Sequence, residues 1–219
     1  MQTLVISAAL LFDMLGGMTL QAQPYLHSNN PITMEEMTVR YFVEQPTEYF
    51  YDAKLYYLEG HNCLAAERIR TGAKAVSRAG ATASPEGKKA LLGSYLALNK
   101  KSDEIANNEH VSLARMNEIF SKSLYNLSNH QYTTAKDSWA KHAYKKSGEE
   151  LTAAANNLRH AASWADEGLE KGGVATVNGA RAMGKSLQEG TDWAEDKAKK
   201  GFESFGNLLT TIGNKLKKI

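Results

Sequence analysis

The sequence has few residues that break helices and no stretch that alternates apolar and polar residues. Its 219 residues include only four prolines, and alternation with a period of two is the main sequence sign of a half-buried strand. Ala, Lys, Leu, Glu and Asn fill most segments, a composition typical of helices joined by polar turns. The sequence therefore predicts an all-α protein, an antiparallel helical bundle with a long C-terminal amphipathic helix.

Cysteine is scarce too, because Cys63 is the only one and no disulfide can form within the chain. An exported protein of this size must then be stabilised by its core. Cys63 does not follow a lipoprotein-type signal, and lone cysteines usually behave as small buried hydrophobic residues. We therefore expect Cys63 to be buried rather than lipid-modified.

A strong excess of either charge is also missing. The formal net charge is +2, with both signs mixed along the chain, whereas a nucleic-acid binder usually presents a strongly basic face. The sequence therefore predicts no nucleic-acid partner.

The residue patterns of common active sites and cofactor sites are absent. No two histidines stand four apart as metal ligands on a helix do, and His61 with Cys63 would supply only two of the ligands that a zinc site needs. The paired carboxylates are neighbours in sequence, so each pair points apart on a helix and is expected to lie in solvent: Glu35-Glu36, Asp103-Glu104 and Glu149-Glu150. We expect no catalytic residues, no metal, no cofactor and no enzymatic activity.

The N-terminal segment is typical of a secretory signal peptide. An apolar run extends from Leu4 to Phe12, and Leu20-Gln21-Ala22 resembles a cleavage site. No Lys or Arg precedes the run, and Asp13 interrupts it, so a buried N-terminal helix is the alternative. Residues 1–22 are predicted to be a signal peptide, and the protein to be periplasmic or secreted.

Residues 31–157 are predicted to form the helical bundle. Thr33 with Glu36 predicts a capped helix start, and Pro46 predicts either two short helices or one kinked helix over 34–58. A helix is expected over 60–80, and another begins at Ser84-Pro85 and ends near Asn107-Asn108. The next helix, 111–127, is expected to end at Ser128-Asn129. From residue 130 onward, Ser147-Gly148 is the best candidate for a break.

Aromatic residues are concentrated between Tyr41 and Tyr57. Such faces at helical spacing usually belong to a core with hydroxyls at its rim, and a ligand pocket is the alternative. The candidate ligand-lining residues are Tyr49, Phe50, Tyr56 and Tyr57.

The last segment, 158–219, carries Gly168, Gly179, Gly190 and Gly201 at intervals of eleven residues. Eleven residues make three helical turns, so an apolar stripe with this period follows one face of a helix. We predict an amphipathic helical tail whose glycines border that stripe and allow a partner to come close. The candidate membrane or partner contacts are Trp164, Leu187, Trp193, Phe202, Phe205, Leu209 and Leu216.

Three arrangements of this tail remain open. It could pack on its own bundle or on a second copy of the chain, lie on an anionic membrane surface, or stay loosely ordered. The pattern resembles the eleven-residue amphipathic repeats of apolipoproteins and desiccation-protective proteins, which implies a lipid-related or stress-related role.

Two further segments resemble the YfdX family of exported bacterial proteins: "YYLEGHNCLAAERIRTGAKAV" (56–76) and "LYNLSNHQYTTAKDSWAKHAYKKSGEELTAAANNLRHAA" (124–162). The resemblance implies a helical, exported protein linked to envelope stress, without an established enzymatic activity. It implies no particular functional residue.

These features lead to two hypotheses. In the first, the protein is exported, non-enzymatic and binds partners in the cell envelope, as a stress-protective or scaffold component. In the second, it binds a small molecule or a lipid through the aromatic 41–57 segment and the tail. A cavity lined by the aromatic rings would favour the second hypothesis, and rings packed on each other would favour the first.

Overall fold

A computed structural model of the chain describes residues 34–165, 169, 171–191 and 194–218, and describes the side chains of the first helix from Pro46 onward. All regular structure in these residues is helical, so the all-α prediction is confirmed. The predicted signal peptide and the Thr33 cap lie outside the described residues. The α-helices are α1 (Met34–Leu58), α2 (Asn62–Ala79), α3 (Pro85–Ala106), α4 (Leu113–Ala140), α5 (Tyr144–Trp164), α6 (Lys171–Glu189) and α7 (Glu195–Leu216), with a 3-10 turn at Gly80–Thr82.

The ends of α3 lie where the sequence predicts them. The Ser84 hydroxyl accepts a hydrogen bond from the Gly87 backbone N–H at 3.2 Å, and Pro85 begins α3. The same helix ends at Asn107. Ser112, which the sequence analysis did not single out, caps α4 in the same way by accepting from the Arg115 N–H at 3.2 Å, so this helix begins at Leu113 and not at residue 111.

Other helix boundaries agree with the prediction less well. The α1 helix runs through Pro46 as one element, which excludes the alternative of two short helices. The α4 helix continues past Ser128 to Ala140, because the buried Ser128 hydroxyl donates across to α5 instead of capping α4. The true turn between α4 and α5 lies at residues 141–143, where His142 has a φ of 58°. Ser147-Gly148 is inside α5.

Helices α4 and α5 pack against each other through an antiparallel row of small residues, here called the Ser–Ala seam. The Ser121 hydroxyl donates to the carbonyl oxygen of Ala161 at 2.7 Å, and Ser128 donates to that of Ala154 at 2.7 Å. Seven residues further along α4, the donor lies on α5 instead, since the Ser147 hydroxyl donates to the Ala135 carbonyl oxygen at 2.8 Å. Small side chains at every rung let the two backbones approach closely, and each buried hydroxyl finds an acceptor.

The seam joins two hydrophobic cores. Phe50, Ile69 and Leu98 belong to a core that α1, α2 and α3 form with one half of α4 and the end of α5. Leu151 and Phe205 belong to a second core that α6 and α7 form with the other half of α4 and α5. Because α4 and α5 contribute to both cores, they connect the two halves of the bundle.

The C-terminal tail is not one continuous helix from residue 158. The α6 helix ends at Glu189, and Gly190 follows it with a φ of 67°, a left-handed conformation that glycine adopts without strain. The predicted long amphipathic helix is α7, which begins at Glu195 and buries Phe202, Phe205 and Leu209 along one face. Gly190 ends a helix, whereas Gly179 and Gly201, at the same interval in the repeat, lie inside helices. The eleven-residue repeat alone therefore could not predict that the helix ends before Gly190.

Glycines of the tail also lie where helices meet closely. A Cβ on Gly184 would meet the Thr152 side chain and the carbonyl oxygen of Gly148, and a Cβ on Gly213 would meet the Tyr125 hydroxyl. Gly201 faces the Met183 sulfur in the same manner. These glycines explain the close packing of α6 on α5 and of α7 on α4. Gly168 lies outside the described residues.

The glycines of α6 supply a matched test of this explanation. Gly179→Ala places its methyl group in open space, since nothing lies within 4 Å of that Cβ, and should stabilise the protein by about 0.5–1 kcal/mol. Gly184→Ala collides with the α5 backbone and should destabilise it by roughly 1–3 kcal/mol. Urea denaturation followed by circular dichroism measures both. Equal effects of the two substitutions would contradict this role of Gly184.

The Ser–Ala seam supplies a second prediction. Ala154→Leu forces a branched side chain between α4 and α5 and should cost roughly 1–3 kcal/mol or more of unfolding free energy. Ser128→Ala keeps the size and removes one hydrogen bond, so it should cost only about 1 kcal/mol. Ala175→Leu, on the exposed side of α6, is the control for the added leucine. If Ala154→Leu is no worse than this control, the seam does not require small residues.

Candidate functional site

The described aromatic side chains of α1 pack against neighbouring helices to different degrees. Phe50 is fully buried and stacks on Phe120, with ring centroids 4.4 Å apart and an interplanar angle of 4°. Gly72 lies directly under the Phe50 ring, close enough that a Cβ would come within 2.5 Å of it. Tyr49 and Tyr56 are half-buried. Neither of the two pockets described below is lined by Tyr49, Phe50 or Tyr56, and a ligand-lining role for the four residues stays a prediction.

Tyr57, the fourth of these residues, lines an open groove at one end of the bundle, here called the end groove. Its hydroxyl donates to the carbonyl oxygen of Val111 at 2.8 Å and accepts from the Val111 N–H at 3.0 Å. This pair of bonds ties the end of α1 to the loop before α4. The groove has a volume of about 620 Å³ and carries Leu58 and Leu113 along its lining.

The outer face of α1 leads to this groove and is apolar. Tyr51, Leu55 and Leu58 follow one another at helical spacing and are 46%, 54% and 60% exposed. The opposite face of the same helix packs Phe50 and Ala53 into the core. One end of the bundle therefore presents a continuous apolar stripe together with the end groove.

The candidate contact residues of the tail lie inside the bundle and not on its surface. Trp164 packs edge-on against Phe120 at a centroid distance of 5.2 Å, and Leu187 is buried in α6. Trp193 lies outside the described residues. No described helix is long and apolar enough to cross a membrane. The other buried members of the set are Phe202, Phe205, Leu209 and Leu216.

The surroundings of Cys63 differ from those expected. Cys63 is exposed and not buried, because it lies on the outer side of the first turn of α2. Within the described residues, no three His, Cys, Asp or Glu side chains are grouped so that they could hold a metal ion. His61 makes an edge contact with the Tyr56 ring at a centroid distance of 6.5 Å.

A second concave site, here called the polar cleft, lies where the end of α2 meets α4 and α5. Its volume is about 380 Å³. Cationic side chains from three elements reach it, namely Arg78, Lys141 and Lys146. Two carboxyl groups, those of Asp137 and Glu150, line the same space.

Glu150 is buried in the wall of this cleft. The sequence predicted the adjacent pair Glu149-Glu150 to lie in solvent, and for Glu150 that prediction is wrong. Glu150 accepts a hydrogen bond from the Ser138 hydroxyl at 2.7 Å. Burial raises the pKa of Glu150 above 4.5 and outweighs the opposing effects of the Ser138 hydrogen bond and the Lys146 charge. Glu150 lies one turn after the buried Ser147, on the inner face of α5, and the sequence gives no sign of this beyond that register.

The polar cleft also contains two side chains that sequence reasoning left unassigned. His130 is buried, and burial lowers its pKa below 6.5, so the neutral imidazole is favoured near neutral pH. Gln131 is buried beside it, and its Oε1 accepts a hydrogen bond from the Asn157 amide at 2.8 Å. Both residues lie after Ser128-Asn129, where the sequence predicted a further helix, but neither belongs to the apolar stripe expected of that helix.

No family model, curated protein or solved structure matches this chain significantly. The resemblance of 56–76 and 124–162 to the YfdX family stays a prediction.

The raised pKa of Glu150 predicts how stability depends on pH. The folded chain holds this proton more tightly than the unfolded chain, so the stability linked to it is complete below pH 4.5 and is lost as the pH rises through the folded pKa. Glu150→Gln keeps the shape and removes the titration. The unfolding free energy of the native chain should therefore fall relative to that of Glu150→Gln as the pH rises above 4.5.

Glu67→Gln, on the exposed face of α2, is the control for replacing a carboxyl group by an amide at the surface of the bundle. A pH-independent difference between Glu150→Gln and the native chain would show that the burial of Glu150 does not affect its titration.

Proposed function

We propose that this chain is an exported, non-enzymatic helical protein that binds a protein partner in the cell envelope, as a scaffold or stress-protective component. The observation that carries the proposal is the apolar surface at one end of the bundle. Leu55 and Leu58 remain more than half exposed beside the end groove, where Leu113 adds a further apolar side chain.

The exposed apolar residues of this surface are contiguous, whereas exposed leucines on most soluble proteins are scattered singly. Single exposed hydrophobic residues are common on soluble proteins and need no explanation. Here Tyr51, Leu55 and Leu58 form one stripe, and the stripe continues into a concave groove whose lining is fixed by the Tyr57–Val111 hydrogen bonds. A preformed groove lowers the ordering cost of binding, which favours docking of a partner segment.

The tail supports the same proposal over a lipid-binding role. To reach a membrane or a second chain with its apolar face, α7 would have to leave α4 and expose Phe202, Phe205 and Leu209. Each such side chain costs about 1.5–3 kcal/mol to expose. Tyr132 adds to this attachment, since its hydroxyl donates to the Phe202 carbonyl at 2.9 Å.

Site-specific photo-crosslinking of the full chain in its native cells tests the proposal. A benzophenone amino acid is placed at Leu58, at Leu113, or at Val174 of α6, which is 44% exposed and serves as the control. We expect irradiation to link positions 58 and 113 to one and the same envelope protein, identified by mass spectrometry, and to give no such product at position 174.

A second substitution shows whether the product depends on the apolar surface. Leu58→Asp should reduce the product formed from position 113, whereas Val174→Asp should leave it unchanged. Crosslinks that are absent, or that form equally at all three positions, would overturn the proposal.

A further inference from the structure

The polar cleft has the dimensions of a small-molecule site. Its volume of about 380 Å³ falls within the range of roughly 300–1,000 Å³ that ligand pockets occupy. Its lining comes from α2, α4 and α5, so side chains distant in sequence converge on one space. We propose that the polar cleft binds a small organic carboxylate, a role separate from partner docking at the end groove.

One buried amide in the cleft lacks a partner for its donors. Gln131 is 8% exposed, and Asn157 holds its Oε1 at 2.8 Å. With Oε1 facing Asn157, the Nε2 group is the end of the amide that faces away from it. Nε2 makes no hydrogen bond to another described residue and is not fully enclosed. It can therefore donate to an acceptor oxygen of a ligand in the adjacent space.

The charges of the lining favour an anion with a single negative charge. Three cations, Arg78, Lys141 and Lys146, stand against two carboxyl groups, Asp137 and Glu150. The Lys146 charge acts on the buried Glu150, whereas Lys141 forms no ion pair with another described residue. Lys141 is therefore the cation best placed to meet a ligand that also accepts from Gln131.

A carboxylate fits this lining better than a phosphate does. A phosphate dianion would bring a second negative charge next to Asp137 and the wall formed by Glu150, and like charges at short range repel. A carboxylate is planar and presents two acceptor oxygens. One oxygen can accept from Gln131 Nε2, and the other can pair with the Lys141 ammonium group.

Two-dimensional NMR of the isotope-labelled full chain tests this site. Acetate and lactate are the carboxylate probes, inorganic phosphate is the alternative anion, and chloride keeps the ionic strength constant. We expect both carboxylates to cause saturable shifts in the side-chain amide of Gln131 and in the backbone amides of Thr134 and Ser138, which also line the cleft. The end groove should show no change.

Charge variants connect these shifts to the cleft. Lys141→Gln removes a charged donor and should weaken carboxylate binding about ten-fold, while Lys141→Arg should retain it. Lys100→Gln, on the exposed side of α3, is the matched control and should bind as the native chain does. Lys141 is exposed, so these variants should fold, which the unperturbed remainder of the spectrum verifies.

Three results would overturn the proposal. One is the lack of saturable shifts in the cleft, and another is equal binding by Lys141→Gln and the native chain. Tighter binding of phosphate than of acetate would refute the assignment of a carboxylate. None of these results bears on the end groove, so failure here is distinguishable from failure of the proposed function.

Discussion

The close approach of α4 and α5 along the Ser–Ala seam is the constraint on which the other features of the bundle depend. Hydroxyl groups at Ser121, Ser128 and Ser147 each donate to a carbonyl of the facing helix. The three contacts are spaced by seven residues along each helix, at positions 121, 128 and 135 of α4 and 161, 154 and 147 of α5. Along these two closely packed helices, one half of the pair contributes to the first core and the other half to the second core. The seam also positions a second row, in which Gln131 meets Asn157 and Ser138 meets Glu150, and this row forms one wall of the polar cleft.

At the edges of the second core, glycines allow close contacts between helices, as the small residues of the seam do between α4 and α5. Gly148 and Gly184 bring α6 onto α5, while Gly206 and Gly213 each receive a tyrosine of α4, Tyr132 and Tyr125 respectively. These tyrosines are spaced by seven residues, as their glycine partners are. The eleven-residue recurrence thus contains glycines with different roles, because Gly190 ends a helix and Gly201 contacts Met183.

The sequence was sufficient for the helical class and for the helix ends at which a residue type has a local effect, such as Ser84 with Pro85. It was insufficient where the partner is distant. From sequence alone, Ser128 is interpreted as a turn residue, because its acceptor Ala154 lies on another helix. Glu150 is interpreted as a surface residue, because its partner Ser138 lies in α4. The same limit applies to the sites. The sequence could not show that Phe50 stacks on Phe120, because Phe120 lies seventy residues later in the chain.

Native-state hydrogen exchange of the backbone amides tests most directly whether the seam unites the two cores. If it does, the central amides of α4 and α5 should share the highest free energy of opening, equal to that of global unfolding. The best-protected amides of both cores should then approach the same value under mild denaturant. If the amides facing α1–α3 and those facing α6–α7 instead open at separate free energies, with α4 and α5 divided between them, the two cores are independent and the account is contradicted.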